Sequence, residues 1–163
     1  MIWPEVSIFF PFKELEFGDL FFITGKEHPS FQRKNKVDLS LLQPLGFKQQ
    51  DDSFSVFEDG MPAITLLPVI GRKPVFSHPG PYDGVLLEYN FLTSSKEMEP
   101  VFLEAVSHLS ELCSDNITFD DKSFMPESGQ EGLLKKMKEI SDYWSRQDVE
   151  KGSFEAIDLF DSL

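Results

Sequence analysis

Cys113 is the only cysteine in this chain of 163 residues. That excludes an intramolecular disulfide and suits a reducing compartment. Basic residues are scarce as well: 15 Lys and Arg stand against 28 Asp and Glu, for a net charge of −13. A field of that sign repels phosphate backbones and anionic lipid, which argues against direct nucleic-acid or membrane binding. The histidines are few, His28, His78 and His108. None has a partner at ligand spacing, since His-x-x-x-His, His-x-Glu and Cys-x-x-Cys are all missing. Long apolar runs are missing too. Ile8-Phe9-Phe10 and Ile64-Thr65-Leu66-Leu67 have the length of strands, far below the ~20 residues of a membrane-crossing helix. Met1-Ile2-Trp3-Pro4-Glu5 lacks the basic stretch and apolar run of a signal peptide, so the expectation is a soluble, cytoplasmic protein.

Against these absences stand 17 phenylalanines and a hydrophobic fraction of 40%. Disordered chains are poor in large apolar residues, so this chain folds around a core. Its length fits one domain, 1–163, able to bury roughly 70% of its unfolded surface without a disulfide or metal.

Residues 1–93 read mainly as strands and loops. Val6–Phe10 and Leu20–Thr24 are short apolar runs stopped by Pro11 and Gly25, which predicts strands. Residues 26–36 form a polar loop with Lys26, Arg33, Lys34 and Lys36; within so acidic a protein it reads as a solvated loop. Residues 37–43 predict a short helix, with Asp38 as N-cap and Leu39 and Leu42 on one face, ended by Pro44 and Gly46. Asp59-Gly60 between the runs 53–58 and 63–70 predicts a hairpin with a loop lengthened by Met61-Pro62. Pro68 places its strand at an edge or bulge. Residues 71–84, rich in proline and glycine, predict a loop. Residues 85–93 alternate as a strand, with Val85, Leu87, Tyr89 and Phe91 on one face.

Residues 94–163 turn helical and end in an acidic-aromatic tail. Ser94-Ser95-Lys96-Glu97 predicts a capping box. Met98, Val101, Phe102, Ala105, Leu109, Leu112 and Cys113 follow at helical spacing. Pro100 is tolerated in the first turn, where no amide hydrogen is needed. Residues 114–128 read as a polar connector. Ser128-Gly129-Gln130-Glu131 is a second capping box, followed by the stripe Leu133, Met137, Ile140 and Trp144. The fold class expected is α+β, a mostly antiparallel sheet covered by two amphipathic helices.

Chemistry-bearing patterns are sparse. Cys113 lies late in a helix, where the dipole does not favour a thiolate, and predicts a buried structural thiol. Asp51-Asp52, Glu58-Asp59 and Asp120-Asp121 match no calcium loop and read as acids that solvate turns. Neither a glycine-rich phosphate loop nor Gly-x-Ser-x-Gly occurs. No catalytic, cofactor or metal site is therefore expected.

The acids are unevenly spread. Residues 1–93 carry 12 acidic and 8 basic residues, whereas residues 94–163 carry 16 and 7. An acidic binding face is thus expected in the second half, where it would steer a basic partner. The contact acids expected are Glu97, Glu104, Glu111, Asp115, Asp120 and Asp121, with Phe119, Phe124 and Tyr82 as aromatic anchors.

Two resemblances follow from these residues. Leu45-Gly46-Phe47, the 53–58 and 63–70 hairpin and the strand at 85–93 resemble one module of the vicinal-oxygen-chelate fold. That likeness implies a curved sheet with metal-binding His and Glu on strands; Glu88 is the one strand acid of that kind, and no strand histidine accompanies it. A small-ligand or enzymatic site near Glu88, Tyr89 and His78 is the corresponding expectation. In length, acidity, α+β order and lack of a catalytic set, the whole chain is similar to the small acidic immunity proteins that bacteria encode beside polymorphic or contact-dependent toxins. This likeness implies a non-catalytic protein that neutralises a basic toxin or nuclease. A scaffold role, with the tail as docking segment, is a further alternative.

Overall fold

The computed structural model describes residues 3–13, 15, 19–20, 23, 39–70, 83–113, 117–119, 122–124 and 129–151. The described chain is α+β. Strands β1 (Glu5–Pro11), β2 (Lys48–Gln50), β3 (Ser53–Glu58), β4 (Met61–Val69), β5 (Gly84–Asn90), β6 (Ile117–Phe119) and β7 (Lys122–Phe124) form one sheet. Its order is β2-β3-β4-β5-β1-β6-β7, and every neighbouring pair is antiparallel. Helices α1 (Met98–Leu112) and α2 (Gly129–Lys151) come from the C-terminal half.

β1 lies inside the sheet, between β5 and β6. Its Ile8, Phe9 and Phe10 are all buried, as an interior strand with both faces covered requires. Alternation sorts the strands into two faces. Val6, Ile8, Phe10, Phe54, Val56, Ile64, Leu66, Val85, Leu87 and Tyr89 join the main core. Phe9, Leu67, Val69 and Leu86 cluster on the other side.

The β3–β4 hairpin turns on Asp59-Gly60 alone, with φ of 52° and 80°. Positive φ at both positions is the two-residue turn whose twist matches the strands, and glycine suits its second position. Met61 and Pro62 are therefore strand residues rather than loop. The register shifts between Val56 and Phe57, which re-aims the strand before the turn. The β3 ladder ends at Phe54 opposite Leu66, so Pro68 faces β5 only and sits at a local edge.

Two expected elements differ. Asp19 and Leu20 are helical and Ile23 lies in a 3-10 turn, so no strand occupies these residues of the 20–24 run. Leu20 and Ile23 are both fully buried at helical spacing; a five-residue apolar run does not by itself separate strand from buried helix. The 114–128 connector contains the β6–β7 hairpin, which extends the sheet beyond β1 through Ile8 opposite Phe119 and Phe9 opposite Thr118. The short helix is a 3-10 helix at Ser40–Leu45 with Pro44 inside it, and Leu39 and Leu42 are buried. Asp38, its expected N-cap, lies outside the described residues.

Both helices lay apolar faces on the main core. Phe102, Ala105, Val106 and Leu109 are buried on α1, and Leu133, Met137, Ile140 and Trp144 on α2. Met98, Val101 and Leu112 are partly buried beside them. Each fully buried large side chain contributes about 1.5–3 kcal/mol, so these faces fix both helices on the sheet. Phe102 and Tyr89 meet at 5.3 Å between ring centroids. Cys113 caps α1 in extended conformation, and its buried thiol donates to the Pro11 carbonyl oxygen at 3.0 Å. That hydrogen bond gives the cysteine a structural role, tying the end of α1 to the end of β1.

The capping box at Ser94 does not form. α1 begins later, at Met98, and Glu97 makes no side-chain cap bond. The sheet claims the box residues instead. Thr93 Oγ1 donates to the Pro62 carbonyl at 2.6 Å and Ser94 Oγ to the Ala63 carbonyl at 3.1 Å. The Ser95 amide and hydroxyl both donate to Glu58, each at 2.6 Å. α2 begins directly after Ser128, which itself lies outside the described residues.

Candidate functional site

Helix geometry assembles three of the expected acids. Glu97 immediately precedes α1, and Glu104 and Glu111 lie on it, at intervals of seven residues. Seven residues return a helix to within ~20° of the same direction and advance it about 10 Å. All three are exposed, so they form one acidic stripe along the solvent face of α1. Among the described residues none of the three pairs with a lysine or arginine. Glu104 Oε1 lies 3.6 Å from His108 Nε2, with the two side chains 58% and 25% exposed. Apart from the Glu104–His108 contact, the stripe is a row of exposed carboxylates without a partner among the described residues.

Glu111 also belongs to a groove of about 320 Å³ between α1, β7 and the start of α2. Val106, Ser107 and Ser110 line one wall; Phe124 and Gln130 line the other. Ser110 Oγ is buried and finds no hydrogen-bond partner among the described residues. Phe124 is only 3% exposed and meets Phe119 edge-on, at 6.1 Å between centroids and 75° between planes. The close start of α2 depends on Gly129: a Cβ there would fall 2.8 Å from Phe124 Cδ2. Phe124 therefore offers the groove a wall rather than a protruding ring, and Phe119 is half-buried on the same core. Asp115, Asp120, Asp121 and Tyr82 lie outside the described residues.

The site expected near Glu88, Tyr89 and His78 is divided by the sheet. Tyr89 enters the main core, whereas Glu88 points to the other face. There it stands in a polar row with Ser7 on β1 and Thr65 and Ser55 towards the far edge. Ser7 Oγ donates to Glu88 Oε1 at 3.5 Å, and the Ser55 and Thr65 hydroxyls are 3.1 Å apart. Burial pushes the Glu88 carboxyl above the ordinary range and the Glu5 charge adds to this, with the Ser7 hydrogen bond opposing. His78 lies outside the described residues.

The other paired acids have structural employment. Asp51 takes φ of 53° in the turn between β2 and β3. Asp59 opens the β3–β4 turn. Glu58 holds the Ser95 hydroxyl and amide, and these two hydrogen bonds hold its carboxyl below the ordinary range. Among the described residues no three His, Cys, Asp or Glu side chains gather as a metal site. No described helix is long and apolar enough to cross a membrane.

Composition identified the acids, and periodicity put them on a helix. Ser107, Ser110 and Gln130 carry no such signal, because two short polar residues and a glutamine look like any solvated helix surface. Their convergence on Phe124 depends on how α1 and α2 meet β7. No protein-family model and no curated protein matches the chain.

Proposed function

We propose that this chain is a non-catalytic acidic binding protein that neutralises a basic protein partner. Immunity proteins and nuclease inhibitors, which act on toxins in the bacterial cytoplasm, are the kind of protein meant. The observation that carries this reading is the α1 stripe, where Glu97, Glu104 and Glu111 are exposed on one face and meet no Lys or Arg among the described residues. Carboxylates that no Lys or Arg neutralises keep most of their field for a partner, and among the described residues only Glu104 has a neighbour of its own, His108. Rows of one sign speed encounter with an oppositely charged protein and reject like-charged ones. The groove beside Glu111 supplies apolar surface at the end of the stripe. An interface needs such a desolvated patch as well as charge, because rim charges alone add little affinity.

The test is a paired capture from host lysate at low salt. One bait is the natural chain. The other carries Glu97→Lys, Glu104→Lys and Glu111→Lys together. The natural bait should retain a basic protein whose toxic or nuclease activity it suppresses in solution. The reversed bait should lose it, with association slowed about tenfold or more. Equal retention by both baits, or retention without suppression, refutes the proposed function.

A further inference from the structure

A second cavity, of about 230 Å³, lies between the end of β5, the start of α1 and the middle of α2. Aromatic surface comes from Phe91, Tyr89 and Trp144; oxygen atoms come from Tyr89, Ser94, Ser95 and Glu99 and, on α2, from Ser141 and Ser145. Its volume is below the ~300 Å³ at which pockets begin to hold drug-sized ligands. It suits a single side chain or a fragment of that size.

The hydrogen-bond inventory of its wall selects the ligand. On the β5–α1 side the donors are already committed, whereas across the cavity Ser141 and Ser145 of α2 bring hydroxyls that can donate or accept. The Ser94 hydroxyl donates to Ala63 O, the Ser95 hydroxyl to Glu58, and the Tyr89 hydroxyl to Ser95 O at 3.1 Å. The amides at the start of α1 are committed as well: Ser95 N–H to Glu58, Met98 N–H to Ser95 O, and Glu99 N–H to Lys96 O. A helix start attracts anions through free amides, and here these amides are occupied. The three hydroxyl oxygens retain lone pairs, and the Glu99 carboxylate has only acceptors to offer. The Glu99 and Glu58 carboxylates lie near enough to the Tyr89 hydroxyl to act on it. Burial first, then Glu99 and Glu58, push it up to about 12, against a hydrogen bond with Ser94. Among the lining residues described, Lys96 is the only cation, and it is exposed. Aromatic faces beside a negative field favour a cation further.

We propose that this cavity binds a cationic head group, a primary ammonium or guanidinium on a short stem. The stem lies on Phe91 and Trp144, and the head donates to Glu99 and to the Tyr89, Ser94 and Ser95 oxygens. The site is separate from the α1 stripe and holds whether or not that stripe binds a protein. A free small amine and a lysine side chain offer the same chemistry.

The full ¹⁵N-labelled chain would be titrated with n-butylammonium, Nα-acetyl-lysine N-methylamide, butyrate and n-butanol. The cation should shift the Ser95 and Glu99 amides and the Trp144 indole N–H saturably, while butyrate and butanol leave them in place. Saturation by both cations identifies the site as one for a lysine side chain; saturation by butylammonium alone identifies a free amine. Glu99→Gln should weaken binding about tenfold, the scale of one charge-assisted hydrogen bond, with the amide spectrum otherwise retained. Ser145→Trp, which fills the cavity from an exposed position of α2, should abolish binding, and Glu104→Gln should leave it unchanged. Equal binding of butyrate overturns the proposal. So do non-saturating shifts spread along the α1 stripe, or Glu99→Gln binding as tightly as the natural chain.

Discussion

The two ends of α1 treat their carboxylates in opposite ways. At the start, Glu58 reaches across from β3 and is consumed by Ser95, so the lead-in is stitched to the sheet. Along the helix and at its end, Glu104 and Glu111 face solvent, and among the described residues neither reaches another element: Glu104 meets only His108 of its own helix. The Pro11 carbonyl and the Cys113 thiol close that end instead. An acid already hydrogen-bonded to the protein's own backbone serves architecture. An acid without such a partner adds repulsion to an already negative chain and leaves its charge exposed to solvent. That distinction, more than the total charge, is why the stripe is proposed as the binding face.

The largest effect should come from the anchor common to both ends. Phe102 is fully buried between α1 and the Tyr89 ring. Phe102→Ala should cost roughly 3–5 kcal/mol by cavity formation, measured by chemical denaturation. A loss under ~1 kcal/mol would mean that α1 rests on the core only peripherally. Such a result would remove the basis for contrasting its ends.

A smaller effect tests the closing end. Cys113→Ala removes a buried thiol and its bond to Pro11, and should destabilise by about 1–2 kcal/mol. The thiol has no role in the acidic face, so the variant should capture the same partner as the natural chain. Lost capture by a folded variant would move the binding surface towards the α1–β1 junction.

The smallest effects sharpen the contrast between acids that stabilise and acids that cost. Glu58 has its carboxyl lowered from 4.5, by the Ser95 hydrogen bonds first. Its contribution is present above that ordinary value and is lost as pH falls through the lowered one. Glu88 is raised from 4.5, chiefly by burial. Its contribution is present below 4.5 and is lost as pH rises through the raised value. Thermal melts between pH 3 and pH 7 should therefore diverge in sign. Glu58→Gln should melt lower than the natural chain near neutrality, with the gap closing in acid. Glu88→Gln should melt higher near neutrality, with that gap also closing in acid. Parallel curves for both variants would show that neither acid is coupled to folding.

Legibility in the sequence followed the range of the interactions involved. The Asp59-Gly60 turn was readable because two adjacent residues set it, although the strand after it begins at Met61 rather than Ala63. The stripes of α1 and α2 were readable from spacing; Val106 escaped because the face of α1 is wider than the expected row. β2 was not readable, since Lys-Gln-Gln has no strand preference and is held by the turn at Asp51 and by pairing with β3. β6 and β7 are three residues each, too short for a period to show, and exist as strands because β1 offers an edge. The Ser94 capping box satisfied every local rule and lost to acceptors on Glu58 and Ala63, more than thirty residues away.

The candidate site divides in the same way. Glu97, Glu104 and Glu111 were legible as acids on a helix, because composition and a seven-residue interval are properties of the chain itself. Which acids are consumed, and where cavities open, was decided by tertiary structure alone. Glu58 and Ser95 stand 37 residues apart, and Ser94 and Ser141 lie on different elements. The sequence by itself determined the α+β class, the core-facing stripes and the sign of the surface, since each depends on residue type and local periodicity. Only the packing of α1 and α2 on the sheet decided which polar groups were satisfied by the described residues and which were left exposed, because a hydrogen bond depends on distance in space and not on separation along the chain.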